Sequence, residues 1–141
     1  MNIAVAGLIL HVDDERSVRD SMSILLRADG YDINSAATGA EALKLVRGGF
    51  QPDVLIVDFN LDPQMNGAQV AEHTRRILSY APPTIILTGD VRDLKIPRIV
   101  EVIVWLTNKP LNPRLLLATL PGLVQVSRAT RKLTGIGMRG I

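Results

Sequence analysis

Short, nearly continuous apolar runs alternate with helix-like segments along the whole chain. The four apolar runs are Leu8–Val12, Val54–Val57, Thr84–Leu87 and Val102–Leu106, and the more polar Tyr31–Ala36 is expected to form an edge strand. Runs without polar alternation are typical of strands that are buried on both faces of a parallel sheet. The alternation of strands and helices therefore predicts a doubly wound α/β fold with helices on both faces of a five-stranded sheet.

Helical spacing of apolar residues marks the segments between these runs. Thr38 is expected to cap one helix, with Glu41 as its capping-box partner, and Asn112 is expected to cap the last one. The predicted helices are Glu15–Arg27, the segment from Thr38 to Gly48, Gly67–Leu78, Val91–Val100 and Pro113–Val126.

Two prolines fall inside predicted helices. Because proline removes a backbone donor and clashes with the preceding turn, Pro97 predicts that the fourth helix is short or broken near Ile96. Pro121 is expected to kink or shorten the last helix for the same reason.

Composition excludes several classes of protein. A chain of 141 residues with 47% apolar residues is long enough for one domain with its own core. The chain has no cysteine, which excludes disulfides, cysteine metal sites and a thiol nucleophile, and two histidines, His11 and His73, are too few for a histidine-rich metal site. No apolar run is long enough to span a membrane, and the apolar N-terminal stretch has no preceding basic residue, so a cytoplasmic location is expected.

Basic residues are concentrated at the C-terminal end. Four of them lie in the last fourteen positions without an acid, which leaves 12 basic and 14 acidic residues in the rest of the chain. These four are Arg128, Arg131, Lys132 and Arg139. We expect one folded domain at residues 1–126 and a flexible, solvated basic tail at 127–141, with no nucleic-acid or membrane partner.

Polar residues follow four of the predicted strands at the point where each strand ends. They are Asp13 and Asp14, Asp58, Thr88 and Lys109. Taken singly, each is also typical of a helix cap, a turn or a loop. In a parallel sheet, however, the carboxyl ends of the strands share one edge, so these five side chains are expected to converge there.

Three carboxylates in one pocket repel each other unless a cation offsets their charge. Mg²⁺ prefers oxygen ligands and binds one or two carboxylates together with water and phosphate. One aspartate can then attack phosphorus while a lysine and a hydroxyl hold the transferred oxygens. The sequence therefore predicts magnesium-dependent phosphoryl transfer to a carboxylate.

At these positions the chain resembles the receiver domain of two-component response regulators, and in particular the receivers of hybrid histidine kinases. The resemblance runs from about Leu8 to Val126. The residues that carry it are Leu10-His11-Val12-Asp13-Asp14-Glu15, Leu55-Ile56-Val57-Asp58, Met65-Asn66-Gly67, Ile85-Ile86-Leu87-Thr88-Gly89 and Asn108-Lys109-Pro110.

The resemblance implies a flavodoxin-like fold with strand order 2-1-3-4-5 and assigns roles to single residues. It makes Asp58 both the phosphoacceptor and a Mg²⁺ ligand and Asp14 a direct Mg²⁺ ligand, with Asp13 acting through water and Asn60 through its backbone carbonyl. Thr88 and Lys109 would contact the phosphoryl group. These roles are those of a phosphoacceptor signalling domain and not of a classical enzyme.

The resemblance also implies partners. A histidine kinase or a histidine phosphotransfer protein is the expected donor, and the phosphorylated form is expected to bind an unknown downstream protein as a monomer or weak homodimer. Because no helix-turn-helix segment follows Val126, we expect a stand-alone regulator without a DNA-binding domain.

Three features of the sequence depart from the family pattern. Leu106 occupies the usual position of an aromatic residue, with Trp105 beside it, and the loop that follows Asp58 is one residue longer than the commonest form. Leu106 and Pro97 keep open a receiver-fold interaction module that needs no phosphate as the alternative function, whereas the longer loop is similar to that of receivers attached to hybrid histidine kinases. A haloacid-dehalogenase-like phosphatase is disfavoured, because Asn60 stands where it would need a second aspartate.

Overall fold

The computed structural model describes residues 5–61, 64–89, 104–108 and 111–139, with the backbone alone at 104–108 and 133–139. The strands are β1 (Leu8–Val12), β2 (Asp32–Ala36), β3 (Val54–Asp58), β4 (Thr84–Thr88) and β5 (Val104–Asn108). The helices are α1 (Arg16–Ala28), α2 (Gly39–Arg47), α3 (Gly67–Ile77) and α4 (Pro113–Arg139).

All strand pairs in the sheet are parallel, as predicted. The first four strands lie in the order β2-β1-β3-β4, and β5 pairs with β4 from Val104↔Thr84 to Asn108↔Thr88. The predicted bounds of the fifth strand, Val102–Leu106, were wrong, because β5 reaches Asn108. The predicted fourth helix, with Pro97, lies outside the described residues.

Helices cover both faces of the sheet, which confirms the doubly wound architecture. On one face, Leu26 of α1 and Leu120 of α4 are fully buried in a core with the inward side chains of the strands. On the other face, Ala42 of α2 and Val70 of α3 are fully buried in a second core. Each helix thus buries its apolar stripe against a sheet whose strands are apolar on both sides.

Local capping agrees with the sequence at the helix starts. The Thr38 hydroxyl accepts from the amide of Glu41 at 3.1 Å, and the Asn112 side chain accepts from Arg114 at 3.0 Å. The Glu41 carboxylate accepts from the Ala37 amide at 2.8 Å and not from that of Thr38, so the capping box is displaced by one residue.

The end of α4 differs from the prediction. The helix does not stop at Val126 but continues to Arg139, through most of the segment assigned to a flexible tail. Pro121 does not end it, because Leu116 and Leu120 before the proline and Leu123 and Val124 after it are buried in the same core. No helix of the described part of the chain is both long and apolar enough to cross a membrane.

Ion pairs to the buried carboxylate of Asp53 join the second half of α4 to the start of β3. The Asp53 carboxylate is 1% exposed and lies 3.3 Å from Nη2 of Arg128 and 3.0 Å from Nη1 of Arg131. The same carboxylate accepts from the backbone amide of Leu8 at 2.8 Å. We call Asp53, Arg128 and Arg131 the Asp53 cluster; it lies at the amino-terminal edge of the sheet, immediately before β3.

Tyr80 packs beside the Asp53 cluster. The Arg131 guanidinium lies 4.3 Å from the centre of the Tyr80 ring, and the Tyr80 hydroxyl donates to the Pro52 carbonyl at 2.7 Å. Burial raises the pKa of Tyr80 to about 12, with Arg131 lowering it in part. The phenol therefore stays protonated and keeps donating at any physiological pH.

Candidate functional site

The fold brings three of the predicted carboxylates together at the carboxyl edge of the sheet. Asp13 and Asp14 follow β1, and Asp58 is the last residue of the neighbouring strand β3. One carboxylate oxygen from each lies within 4.8 Å of the others. Asp13 and Asp58 are 1% and 3% exposed, whereas Asp14 faces solvent. The prediction that these three side chains converge is therefore confirmed.

Backbone contacts fix the orientation of Asp13. Its amide donates to the carbonyl of Ala36 at the end of β2 (3.0 Å), and its carboxylate accepts from the amide of Glu15 at 2.9 Å. Arg19 of α1 donates to the Asp13 carbonyl at 2.9 Å. Glu15, and not an aspartate, is the N-cap of α1 and makes no side-chain cap bond. The Asp13 side chain thus holds the β1–α1 turn while its carboxylate stays in the acidic group.

The turn after Asp58 is held at both ends. The amide of Phe59 donates to the Leu87 carbonyl at 2.8 Å, which continues the sheet one residue beyond β3. The amide of Asn60 lies 3.3 Å from the Asp58 carboxylate, a long hydrogen bond that orients one oxygen. Asn60 itself is exposed, and the role of its carbonyl as a metal ligand stays a prediction.

Gly67 leaves room for the backbone of the acceptor strand. A Cβ at this position would lie 2.6 Å from the Asp58 carbonyl oxygen, which no side chain can occupy without movement of the backbone. Its amide donates to the Phe59 carbonyl at 2.9 Å. Asn66 and Gln69 form a complete capping box at this helix start. Gly67 was noted in the sequence only as part of a motif, and its steric role was missed because it depends on how closely α3 approaches the end of β3.

The acidic group fits a magnesium ion. Its ligand atoms are all carboxylate oxygens, the hard donors that Mg²⁺ prefers, and no sulfur or imidazole is among them. Two of the carboxylates are buried, where their mutual repulsion is strongest, and the exposed Asp14 leaves one side open for water and phosphate oxygens. A divalent cation there would offset the repulsion that the fold imposes.

Thr88 reaches the same edge. It is the last residue of β4, is 3% exposed, and follows Leu87, which is in register with Asp58. Its own partner across the sheet is Asn108, the residue before Lys109. Lys109 lies outside the described residues, so its contact with the site stays a prediction.

The side chains of Leu106 and Trp105 also lie outside the described residues. Their backbone is in register with Ile86 and Ile85 of β4.

His11 is a buried polar residue outside the group of three aspartates. It is fully buried in β1, and neither ring nitrogen has a hydrogen-bond partner among the described residues. Burial, helped by the charge of Arg19, lowers the pKa of His11 to about 4. The imidazole is therefore neutral near pH 7 and behaves as part of the apolar core.

Comparisons with known proteins agree with this geometry. The sequence pattern of the response regulator receiver domain matches residues 9–120. Response regulator MprA of Mycobacterium leprae (strain TN) is 34% identical over 82 residues, which are 58% of this chain and 35% of that protein. The chain thus spans about a third of the length of the curated relatives it matches.

Solved structures resemble the fold as well. The chemotaxis protein CheY4 of Vibrio cholerae is 31% identical with a TM-score of 0.71, over 85% of this chain and 99% of that one. A CheY-like receiver domain protein of Methanospirillum hungatei JF-1 is 25% identical with a TM-score of 0.75, over 89% of this chain and 98% of that one.

Proposed function

Because the chain belongs to the family of response regulator receiver domains, the phosphoacceptor modules of two-component signalling, we propose that Asp58 accepts a phosphoryl group in a Mg²⁺-dependent reaction. The observation that carries this proposal is the approach of the Asp13, Asp14 and Asp58 carboxylates to within 4.8 Å of one another. Asp13 and Asp58 are both buried, and of the two only Asp58 is the last residue of a strand, β3 at the centre of the sheet.

The proposed reaction is an in-line transfer from a phosphohistidine. One Asp58 oxygen forms a bond to phosphorus, the phosphorus–nitrogen bond of the donor breaks, and the imidazole leaves with the electron pair and takes up a proton. Asp13 and Asp14 would hold the metal, which would supply positive charge to neutralise the phosphoryl oxygens. The amide of Asn60 orients the carboxylate so that its other oxygen is presented to the donor.

Thr88 and Lys109 are proposed to respond to the product. Replacing a carboxylate by an acyl phosphate adds about one negative charge at the end of β3. The Thr88 hydroxyl, buried at the end of β4, can donate to a phosphoryl oxygen, and Lys109 would pair with its charge. Their movement would shift the population of a surface that binds a downstream protein.

The proposed phosphodonor is a histidine kinase or a histidine phosphotransfer protein. The match to response regulators supports this class of partner, since two-component signalling pairs a histidine donor with a receiver.

The direct test is labelling by a small acyl-phosphate donor. Wild-type protein with Mg²⁺ is expected to gain one phosphoryl group, detected by intact mass, and to gain none when the donor is added in the presence of EDTA. Asp58→Asn removes the nucleophile and should abolish labelling, whereas Asp53→Asn, the same change at a buried aspartate of the opposite edge, should leave it intact. Equal labelling of Asp58→Asn and wild type would reject the assignment, and absence of both labelling and Mg²⁺ binding would favour an interaction module that needs no phosphate.

A further inference from the structure

Arg19 of α1 reaches back to the end of β1, beside the group of three aspartates. Its side chain is half-buried, and Nη1 donates to the backbone carbonyl of Asp13 at 2.9 Å. Its own amide donates to the Glu15 carbonyl at 3.1 Å, the first bond of the helix, so the backbone that carries this side chain is fixed. In the described part of the chain the guanidinium makes no ion pair, so it holds a carbonyl and leaves the carboxylates to other partners.

The carbonyl that Arg19 holds belongs to the peptide group between Asp13 and Asp14. This group is planar and contains the α-carbons of both residues, so a hydrogen bond to its oxygen restrains the two residues together. A hydrogen bond from a guanidinium is charge-assisted and therefore stronger than one between neutral groups. Arg19 thus holds the peptide that joins two of the three carboxylate-bearing residues.

Asp14 depends on its backbone for orientation. It is exposed, lies in the turn between β1 and α1, and its carboxylate has no hydrogen bond or ion pair with another described residue. The side chain of Asp13, by contrast, is held by the amide of Glu15 at 2.9 Å. The place of the Asp14 oxygens therefore follows the peptide group that Arg19 holds.

The charge of Arg19 would by itself act against a bound metal. A fixed cation beside the acidic group repels Mg²⁺. Arg19 favours Mg²⁺ only if the geometry that it imposes on Asp13 and Asp14 outweighs this repulsion. Charge and geometry therefore predict opposite effects on metal affinity when the side chain is removed.

We propose that Arg19 is a positioning residue for the metal, which holds the Asp13–Asp14 peptide so that both carboxylates face one Mg²⁺. Residues that orient metal ligands without touching the metal typically change its affinity by roughly 10–100-fold when they are removed. The inference rests on the function proposed for Asp58, because it takes these carboxylates to be the Mg²⁺ ligands. In this role Arg19 touches neither the metal nor the phosphoryl group.

The first experiment is a calorimetric titration of the full chain with Mg²⁺. Arg19→Met removes the hydrogen bond and the charge but keeps an unbranched side chain with good helix propensity. The dissociation constant of Mg²⁺ is expected to rise about tenfold, because Asp14 loses the restraint on its peptide group. Charge alone predicts the opposite sign, a lower dissociation constant.

Arg16→Met is the matched control. It removes the same charge from the same helix, but the Arg16 side chain is 86% exposed and lies 3.7 Å from the carboxylate of Asp20, which is outside the acidic group. Since exposed charges are screened by salt, the dissociation constant of Mg²⁺ should stay within about twofold of the wild-type value.

Arg19→Lys tests whether a donor restores the site. Lysine keeps the charge and can donate to the Asp13 carbonyl, although without the planar geometry of a guanidinium. The dissociation constant is expected within about threefold of wild type. Because a cation alone repels Mg²⁺, recovered affinity would come from the hydrogen bond.

The rate of labelling by a small acyl-phosphate donor separates metal binding from the chemical step. In Arg19→Met the Mg²⁺ concentration that gives half of the maximal rate should rise about tenfold. The maximal rate at saturating Mg²⁺ should stay within about twofold of wild type, since Arg19 makes no contact with the reacting atoms.

Amide hydrogen exchange in EDTA tests the turn without any metal. The amide of Glu15, which donates to the Asp13 carboxylate, should exchange about threefold faster or more in Arg19→Met than in wild type. The amide of Ala42 in α2, which donates to the Thr38 carbonyl at 3.1 Å, should keep its wild-type rate. This pair distinguishes a loosened turn from a destabilised fold.

Three results would overturn the proposal: Mg²⁺ binding by Arg19→Met as tight as in wild type or tighter, equal weakening by Arg16→Met, or faster exchange at Ala42 as well as at Glu15. In all three the wild-type protein still binds Mg²⁺ and is labelled, so the function proposed for Asp58 stands. A wild-type protein that neither binds Mg²⁺ nor is labelled would instead reject that function, and this inference with it.

Discussion

The two edges of the sheet use buried aspartates in opposite ways. At the amino-terminal edge, Asp53 lies 3.0 Å and 3.3 Å from the guanidinium groups of Arg131 and Arg128 and also accepts from the Leu8 amide. At the carboxyl edge, two buried aspartates and Asp14 are gathered within 4.8 Å of one another.

This difference separates a structural carboxylate from a reactive one. The cations around Asp53 offset the cost of burying its charge, and its oxygens are already engaged, so it holds α4 in place. The carboxyl edge concentrates negative charge that a divalent cation can offset, and its open side admits a phosphoryl group. The same residue type therefore stabilises the fold at one end of β3 and is proposed to react at the other.

The largest change in stability is expected from a substitution where α3 packs against the end of β3. Gly67→Ala places a Cβ 2.6 Å from the Asp58 carbonyl oxygen, and neither the strand nor α3 can yield without displacing the site. We expect a loss of about 3 kcal/mol in the free energy of unfolding, with weaker Mg²⁺ binding. Urea denaturation and metal titration measure both. Gly122→Ala, where an added Cβ meets nothing, is the matched control, and equal effects of the two would refute the steric argument.

His11 lies in β1 between the two edges and should make stability depend on pH. Its folded pKa of about 4 is below the ordinary 6.5, so the unfolded chain binds more protons, and stability falls as the pH drops from about 6.5 to about 4. The loss attributable to His11 should reach about 3 kcal/mol near pH 4. His11→Val should remove this part of the acid sensitivity, measured by urea denaturation across the range, whereas His73→Gln should keep the wild-type profile. An unchanged slope in His11→Val would contradict the assignment.

At the amino-terminal edge, Asp53→Asn should destabilise the fold without affecting the reaction. It removes the charge to which three arginine N–H groups donate, but Arg128 and Arg131 are 51% and 29% exposed and can be rehydrated, so we expect a loss of about 2 kcal/mol. Because Asp53 is buried, added salt should change this difference little. A stability equal to wild type would show that the Asp53 cluster does not hold α4.

The smallest effect on stability is expected from replacing an acid by its amide on the surface of α3. Glu72 pairs with Arg75 and Arg76 on α3, and the hydrogen bond from Arg75 is the main reason why the pKa of Glu72 is lowered. Its stabilising contribution is present above the ordinary carboxyl pKa and is lost as the pH falls through the lowered value. Glu72→Gln should shift the thermal midpoint much less than Asp53→Asn, and the shift should fade in high salt. A shift as large as that of Asp53→Asn would remove the distinction between the two.

The group of three aspartates at the carboxyl edge could be predicted from the sequence, because local patterns determine where each strand ends. Asp13, Asp14 and Asp58 follow apolar runs, and a parallel sheet brings the ends of those runs together. Thr38 and Asn112 were predictable as caps because capping acts over three residues.

Long-range contacts account for what the sequence did not reveal. Arg128 lies 75 residues from Asp53, and nothing local indicates that the two pair, so α4 was ended too early at Val126. The lack of hydrogen-bond partners for His11 among the described residues depends on its position in β1 between the strands β2 and β3. The steric role of Gly67 depends on how closely α3 approaches β3, which no spacing of residues encodes.

β3 is secured at both of its ends. Asp53 ties its start to β1 and α4, and the Leu87 carbonyl holds Phe59 just beyond its end, so the strand has little freedom to slide along its own axis. If Asp58 gains a phosphoryl group, we therefore expect β3 to be displaced little. We expect the conformational change to begin at Thr88 in the neighbouring strand β4 and to extend from there away from β3.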